Sequence, residues 1–344
     1  MAFGAFCHLV NRTICDQFRQ NNDITFLRLA TPFGLSRLAP CPVDCSGANW
    51  NRFSMKVALR PSVGENRHMK YGFVLPSGDA RAAADTARAA EDAGWDGFFV
   101  WEPVWGHDAW VCLTAATMVT KRIRLGTMLT PISRMRPWKL ASETATLDNL
   151  SGGRVILAVG LGAPDVGYEQ FGEVTDRKTR AELMDEGLDI LTGLWRGQPF
   201  SYEGTHYKIQ PTEFMPPKPP IQQPRIPIWV VGAWHRPKSM ARVLRYDGIL
   251  PNVMTPEGEH RPMTPDDVRE IRAYVEANRT ATTTFDIVAE GTTPGDKPQE
   301  AAEIVRSWAD AGATWWIEAL WSAIDPDDGI NLARRRVEQG PPRI

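Results

Sequence analysis

The sequence predicts an α/β fold, a (β/α)8 TIM barrel, on three observations. From Met69 onward, short segments rich in β-branched and aromatic residues alternate with longer amphipathic segments. The short segments are apolar throughout, which is typical of parallel strands buried on both faces of a sheet. Eight strand-then-helix units fit within residues 69–344. An open doubly wound sheet usually has fewer strands, so the count favours the closed barrel.

The first four units follow one another with short connections. Their strand segments are KYGFVL (70–75), GFFVW (97–101), RIRLGTML (122–129) and RVILAVG (154–160). Helices are predicted over 79–94, 108–119, from Pro137 onward, and over 176–195. Gly94 is typical of a helix C-terminus, and Pro137 is typical of a helix first turn.

An insertion separates the fourth unit from the fifth. Residues 198–227 contain a predicted hairpin, PFSYEGTHYKI, and a proline-rich loop, and together they are too long for an ordinary connection. The last four strand segments are PIWVVG (227–232), YDGIL (246–250), TFDIVA (284–289) and ATWWIEAL (313–320). Helices are predicted after each of them, the last extending to about residue 339.

Residues 1–68 lack a sustained helical or strand period. We therefore expect a poorly ordered N-terminal extension, and we favour the hypothesis that it arises from an upstream mis-start with Met69 as the natural beginning. Detection of peptides from this segment in the native protein would contradict the mis-start. The segment holds Cys7, Cys15, Cys41 and Cys45, but their spacing lacks the paired C-x2-C units of a zinc site, so we predict no metal.

The overall charge indicates a small-molecule partner. Lys and Arg number 39 against 41 Asp and Glu, so the chain lacks the positive field that attracts nucleic acid or an anionic membrane surface. We expect no membrane span, because no apolar segment is long enough, and no export signal, so the expected location is cytoplasmic.

In a (β/α)8 barrel the chemistry lies at the carboxyl ends of the strands, so the residues after each strand are the candidates. The fourth strand ends in ILAVGLGA, with Gly160 and Gly162. A dinucleotide-binding loop with the pattern G-x-G-x-x-G is excluded there. Asp165 stands at the position of the third glycine, Pro164 lies inside the pattern, and the next helix begins too late. Either a flat ligand approaches this backbone, or the glycines form a turn without a ligand.

Acid and base candidates follow the second strand. Glu102 and His107 could supply general acid or base chemistry; alternatively, Glu102 pairs with an arginine and His107 only begins the next helix. After the third strand, Arg134 and Arg136 are either anion ligands or solvated charges.

Two further segments could bind an anion. Arg180 lies early in a helix, where a cation opposes the helix dipole, so it indicates either an anionic ligand or a salt bridge to Asp176 or Glu182. The segment VVGAWHRPKSM (230–240) joins the fifth strand to a helix, and its amides with His235, Arg236 and Lys238 suit a phosphate. A plain capped helix with an exposed basic start is the alternative there.

Several motifs resemble the bacterial luciferase-like, flavin-dependent oxidoreductases. They are the LDxLSGGR turn within 122–172, the GxG-containing end of the fourth strand, and the EGxHY hairpin within 191–209, in one order at familiar separations. The resemblance covers residues 69–344 and none of 1–68. It implies a (β/α)8 barrel with an insertion, which agrees with the independent count of units.

The resemblance implies a reduced flavin, FMN or coenzyme F420, bound across the strand ends. Thr127 and Met128 would form a bulge behind the flavin ring, often with a non-proline cis peptide. The remaining cofactor contacts implied by the resemblance are Gly160, Leu161 and Gly162 beside the ring, Arg180 near the phosphate, and Gly232, Ala233 and Trp234 at a second phosphate loop.

One position departs from the luciferases. They carry a histidine directly after the glutamate of the second strand end, where this chain has Pro103, which puts luciferase-type aldehyde oxidation in doubt. His107 is the candidate replacement. Many tryptophans, Trp101, Trp105 and Trp234 among them, could wall an apolar pocket or simply pack the barrel.

The favoured function is a monooxygenase that uses reduced FMN and O2 on a small organic substrate, with a separate flavin reductase as a possible partner. The first alternative is F420-dependent hydride transfer on the same fold. The second is a flavin-binding barrel without turnover, which Pro103 favours. The resemblance also implies a homodimer.

Overall fold

The computed structural model describes residues 69–213, 218–255, 257–321 and 326–344. The predictions made for residues 1–68, including the four N-terminal cysteines, lie outside the described residues. Cys112 lies inside them, buried and without a disulfide.

Eleven strands occur in the described residues. They are β1 (Lys70–Leu75), β2 (Gly97–Val100), β3 (Arg124–Thr127), β4 (Thr130–Pro131), β5 (Val155–Gly160), β6 (Phe200–Glu203), β7 (Lys208–Thr212), β8 (Ile228–Trp234), β9 (Gly248–Val253), β10 (Asp286–Gly291) and β11 (Trp315–Ala319). β6 and β7 form a separate antiparallel hairpin, and the short β4 continues the path of β3.

The other strands close into a parallel barrel. Each pairs with its neighbours in parallel, β1 with β11 and β2 on either side, and Leu125 of β3 pairs with Val155 of β5 to complete the ring. The eight units and the hairpin insertion before the fifth are therefore confirmed. β8 extends two residues further than predicted, to Trp234, because it pairs with β9 as far as Val253.

The helices of the described residues follow the predicted strands. They are α1 (Ala80–Ala93), α2 (Ala109–Val119), α3 (Pro137–Ser151), α4 (Arg177–Arg196), α5 (Pro237–Val243), α6 (Pro265–Asn278), α7 (Pro298–Ala311) and α8 (Pro326–Glu338). Their starts are fixed locally: Asp79, Asp108 and Asp176 each accept a hydrogen bond from a first-turn N–H. None of the helices in the described ranges is long and apolar enough to cross a membrane.

The core has two layers, which follow from the two-residue period of each strand. One layer lies between the strands and the helices. The other fills the barrel and includes Phe99, Trp229 and Trp315, whose rings pack together with centroids 5.2–6.1 Å apart. Two residues further along a strand, the inward-facing position reaches the barrel mouth, and the candidate site lies there.

The LDxLSGGR motif holds connections at the opposite end of the barrel. Arg154 is buried and donates to the carbonyls of Ser151, Thr120 and Ile123. Asp148 is also buried and accepts two hydrogen bonds from Gln222 in the insertion. The motif therefore joins loops that precede the strands, and in this chain its role is structural.

The EGxHY motif also has a structural role. The carboxylate of Glu186 on α4 accepts hydrogen bonds from the backbone N–H groups of Thr205, His206 and Tyr207. These bonds attach the β6–β7 turn to the barrel's outer layer.

Candidate active site

Two adjoining cavities open at the carboxyl ends of the strands. The first, of about 410 Å³, is lined by Arg177, Arg180 and Arg242, and we name it the arginine chamber. The second, of about 460 Å³, is lined by Trp308 and Trp321, and we name it the tryptophan chamber. They share a wall, which consists of Met128, Leu129, Val231 and Asn252. Each chamber is of the size that holds a small organic ligand.

The shared wall contains an unusual backbone feature. A non-proline cis peptide joins Met128 to Leu129, directly after β3. The cis peptide expected at this bulge is therefore present. Leu129 and Val231 meet over the backbone of Gly160, and both present apolar side chains to the chambers.

Glu102 lines the arginine chamber. Burial raises the pKa of its carboxyl to about 7, although a hydrogen bond from Thr130 and the nearby charge of Arg134 both act to lower it. The Thr130 hydroxyl lies 2.7 Å from Oε2 of Glu102. A carboxyl group that titrates near neutrality inside a cavity is suited to accept or donate a proton.

Two threonines extend this hydrogen-bond network below the chamber. The Thr130 hydroxyl lies 2.9 Å from that of Thr127, which lies 3.3 Å from the carbonyl oxygen of Ala158. Thr127 is fully buried and does not line either chamber. It therefore supports the Thr130 hydroxyl, which can donate to ionised Glu102 or accept from its protonated form.

The space beside the two glycines is filled by the protein's own side chains. A Cβ on Gly160 would lie 3.0 Å from Leu129 and from Val231. At Gly162, where φ is +73°, a Cβ would lie 1.9 Å from the Tyr168 hydroxyl. The missing side chain of Gly160 thus lets Leu129 and Val231 approach the backbone, and that of Gly162 makes room for Tyr168. Leu161 and Gly162 themselves line the arginine chamber.

Arg180 lines the chamber and also holds its backbone. It is buried, and its Nη1 donates to the carbonyls of Leu161 and Gly162 at 2.7 and 2.9 Å. Its Nε is buried and has no hydrogen-bond partner among the described residues. The sequence alternative of a salt bridge to Asp176 or Glu182 is not what the structure shows, since Arg180 forms no ion pair within the described ranges.

Arg134 holds the loop that carries Glu102. Its Nη2 donates to the carbonyls of Glu102 and Pro103, at 3.3 and 3.1 Å. These contacts of a half-buried side chain contradict the alternative of a solvated charge, and anion binding by Arg134 stays a prediction.

The predicted phosphate loop after Val231 is arranged differently in the structure. Gly232, Ala233 and Trp234 belong to β8 rather than to a loop, and of the three only Ala233 lines the arginine chamber. The Ala233 N–H already donates to the Ser239 hydroxyl at 2.9 Å. His235, Arg236 and Lys238 are exposed to solvent, which matches the alternative of a plain helix with a basic start.

His107 does not share a chamber with Glu102. It is exposed and lines a separate cavity of about 150 Å³, together with Trp105 and Cys112. The next residue, Asp108, caps α2 by accepting from the N–H of Val111 at 2.8 Å. In the described residues no cluster of three or more His, Cys, Asp or Glu side chains is arranged to hold a metal ion.

The sequence did not single out several residues that line the chambers. Tyr168, Ser239 and Arg242 line the arginine chamber, Asn252 lines both chambers, and Glu290 lines the tryptophan chamber. The strand period offered a signal for two of them, because Asn252 and Glu290 lie two residues beyond the interior residues Leu250 and Val288.

A family model described as luciferase-like monooxygenase matches residues 61–337. The chain belongs to the luciferase-like monooxygenase family. The predicted family is therefore confirmed, although the match begins at residue 61, within the segment 1–68 to which the prediction gave no resemblance.

Two relatives in this family are named for F420. A putative coenzyme F420-dependent oxidoreductase of Mycobacterium tuberculosis is 38% identical over 130 residues, 37% of this chain and 36% of that protein. An F420-dependent glucose-6-phosphate dehydrogenase of Nakamurella multipartita is 32% identical over 142 residues, 36% of this chain and 40% of that protein. The matched segments thus span well under half the length of both relatives.

Solved structures of both cofactor types share the fold. The F420-dependent tetrahydromethanopterin reductase of Methanopyrus kandleri superposes with a TM-score of 0.63 at 18% identity, covering 79% of this chain and 97% of that one. The oxygenating constituent of 3,6-diketocamphane monooxygenase from Pseudomonas putida, in complex with FMN, gives 0.53 at 20% identity, covering 69% and 71%. Family relatives and fold neighbours therefore use F420 or FMN, as expected.

Gly162→Ala should destabilise the protein by about 2–3 kcal/mol, because the new Cβ meets Tyr168 and the left-handed backbone disfavours a side chain. Gly172→Ala is a matched control, since φ is +68° there with nothing within 4 Å of the added Cβ, so only the backbone cost of about 1 kcal/mol applies. Urea unfolding measures both. Equal losses would show that contact with Tyr168 contributes nothing.

Glu102→Gln should change how stability depends on pH. Because the pKa rises from 4.5 to about 7 on folding, the unfolded chain loses this proton first, and the wild type loses stability between those values as pH rises. The loss approaches about 3 kcal/mol above pH 7, and the glutamine variant does not share it. The difference in unfolding free energy between variant and wild type should therefore grow across this window in urea titrations. A constant difference would contradict the raised pKa.

Proposed function

We propose that this protein is an F420-dependent oxidoreductase that passes a hydride between the cofactor and a small organic substrate. The observation that carries the proposal is Glu102, a carboxyl group with a pKa near 7 in the wall of a chamber at the barrel mouth. Hydride transfer to a carbonyl group needs such a proton donor, and hydride transfer from an alcohol needs such a proton acceptor. The two F420-dependent relatives support the choice of cofactor.

The residues present fit a cofactor with a flat ring and an anionic tail. Met128, Leu129 and Val231 offer an apolar surface at the shared wall, against which a ring can lie. Arg177 and Arg180 supply positive charge to the arginine chamber, and the Arg180 Nε still lacks a partner among the described residues. Arg242 contributes less, because its charge is paired with Asp185 at 2.7 Å.

F420 supplies a two-electron hydride carrier when bound. In substrate oxidation, the Glu102 carboxylate would accept the proton of the substrate hydroxyl, and bound F420 would supply the hydride acceptor. In the reverse direction, protonated Glu102 returns the proton to the carbonyl oxygen. Thr130 orients the carboxyl group in both directions.

Cofactor binding and turnover test this proposal. We expect F420 to bind with micromolar affinity in equilibrium fluorescence titrations, and we expect reduced F420 to be oxidised without O2 in the presence of ketones or aldehydes. In the same assays, the Glu102→Gln variant should bind F420 as tightly as the wild type but turn over slowly. Failure to bind F420 would overturn the proposal.

Reduced FMN with O2 is the second candidate. The apolar shared wall favours it, because it would protect a reactive flavin from water. Binding of FMN but not F420, with substrate-dependent O2 consumption, would select this function. Binding of either cofactor without turnover on any carbonyl or sulfur compound tested would instead select the non-catalytic barrel.

A further inference from the structure

The tryptophan chamber is lined mostly by apolar side chains, and among its described lining residues the carboxylate of Glu290 lacks an ion-pair partner. Its walls include Leu250, Val288 and Met263 as well as Trp308 and Trp321. Glu290 lies at the carboxyl end of β10, two residues beyond Val288, so its side chain faces the same side of the strand as that barrel-interior residue.

Glu290 is poorly partnered for a carboxylate in such surroundings. Solvent reaches it through the open side of the chamber, yet burial by the surrounding protein raises its pKa, with a hydrogen bond from the Trp321 side chain acting against the shift. Among the described residues Glu290 has no ion-pair partner. A carboxylate held this way gains from a ligand that brings a positive charge.

The arginine that lines the chamber is already paired with an acidic side chain. Arg261 lines the chamber, but its two Nη atoms lie 2.8 and 2.6 Å from the Asp267 carboxylate. The remaining ionisable lining residue, His260, is exposed to solvent. The chamber also holds a second acceptor, Oδ1 of Asn252, which is buried without a partner among the described residues.

We propose that the tryptophan chamber binds the substrate, and that this substrate is a small molecule with an apolar body and a cationic amine that pairs with Glu290. The apolar walls take the body of the molecule, and the ammonium group donates to the carboxylate. Anionic substrates are disfavoured, because the Glu290 carboxylate repels them while the lining Arg261 is already paired with Asp267. That the bound amine is the enzyme's substrate rests on the proposed function. That the chamber prefers cationic amines does not.

The preference can be measured without any cofactor. Ligand-observed NMR titrations of the full chain with benzylamine, benzyl alcohol and benzoate compare one apolar body carrying three head groups. We expect benzylamine to bind at least tenfold more tightly than benzoate, with benzyl alcohol between them. If benzoate binds as tightly as benzylamine, the proposal is wrong.

Substitutions at Glu290 test whether this side chain causes the preference for benzylamine. Glu290→Gln keeps the size of the side chain and should reduce the preference for benzylamine over benzyl alcohol to within about twofold, while Glu290→Lys should favour benzoate. Glu303→Gln removes the same charge from an exposed position on α7 outside the chamber and should leave the order unchanged. A preference that survives Glu290→Gln, with an unaltered melting temperature, would overturn the proposal.

The outcome is separable from that of the cofactor experiment. If F420 does not bind but the Glu290-dependent preference for benzylamine is observed, the proposed reaction fails and the amine site stands. If F420 binds and is turned over but head groups are not discriminated, only the substrate class proposed here fails.

Discussion

Glu102→Gln should lower the rate of carbonyl reduction by about 100-fold or more, which is the usual contribution of a general acid. In the wild type, reduction needs the protonated carboxyl, so kcat/KM should fall as pH rises above the pKa of about 7. Alcohol oxidation needs the carboxylate, so its kcat/KM should fall as pH decreases through the same value. Glutamine neither donates nor accepts this proton, and both pH limbs should be absent from the variant.

Thr130→Val provides the control for this result. Removing the hydroxyl deletes a hydrogen bond that lowers the pKa of Glu102, so both pH limbs should move to higher pH while turnover persists. Steady-state rates across pH with reduced and oxidised F420 measure both variants. A Glu102→Gln enzyme that retains the wild-type rate and pH profile would show that the proton passes through another group.

Glu318→Ala should destabilise the protein by about 3–5 kcal/mol, because it leaves a buried guanidinium without its charge partner. Glu318 is completely buried at the end of β11, and its Oε1 lies 3.2 Å from Nε of Arg336 on α8. The carboxylate also accepts from the N–H and hydroxyl of Thr293, at 2.7 and 2.8 Å, and from the Trp316 indole at 3.2 Å. These contacts tie the last strand to the last helix and to the loop after β10.

A double-mutant cycle distinguishes charge pairing from lost packing. Arg336→Met should cost less than Glu318→Ala, since three donors still satisfy the carboxylate, and the double variant should be more stable than the sum of the single losses implies. Glu276→Ala, which breaks an exposed pair with Arg272, is the control and should cost less than about 1 kcal/mol. Urea unfolding gives all four values. Additive losses would mean that the two side chains are not coupled.

The sequence alone predicted the barrel because its signals are local and repeated. Each strand is a continuous apolar segment, and helix starts carry their own marks, such as Asp79, Asp108 and Asp176, which cap the following turn. The sequence also directed attention to the strand ends and to Glu102, an acid close after the second strand, but it left open whether Glu102 acts in catalysis or only pairs with an arginine.

What only the tertiary structure decided is which groups face each other. Glycine, arginine and histidine residues are ambiguous in sequence, because their role depends on neighbours far along the chain. Gly162 accommodates Tyr168, Arg180 holds the carbonyls after β5, and His107 opens into a different cavity from Glu102.

The pKa of Glu102 was likewise decided by the fold, since it depends on burial and on Thr130 and Arg134, which come from another strand end. The same holds for Glu290, an ordinary acid in the sequence. Closure of the barrel places it in a largely apolar chamber where the lining Arg261 is already paired with Asp267, so its charge favours a cationic ligand.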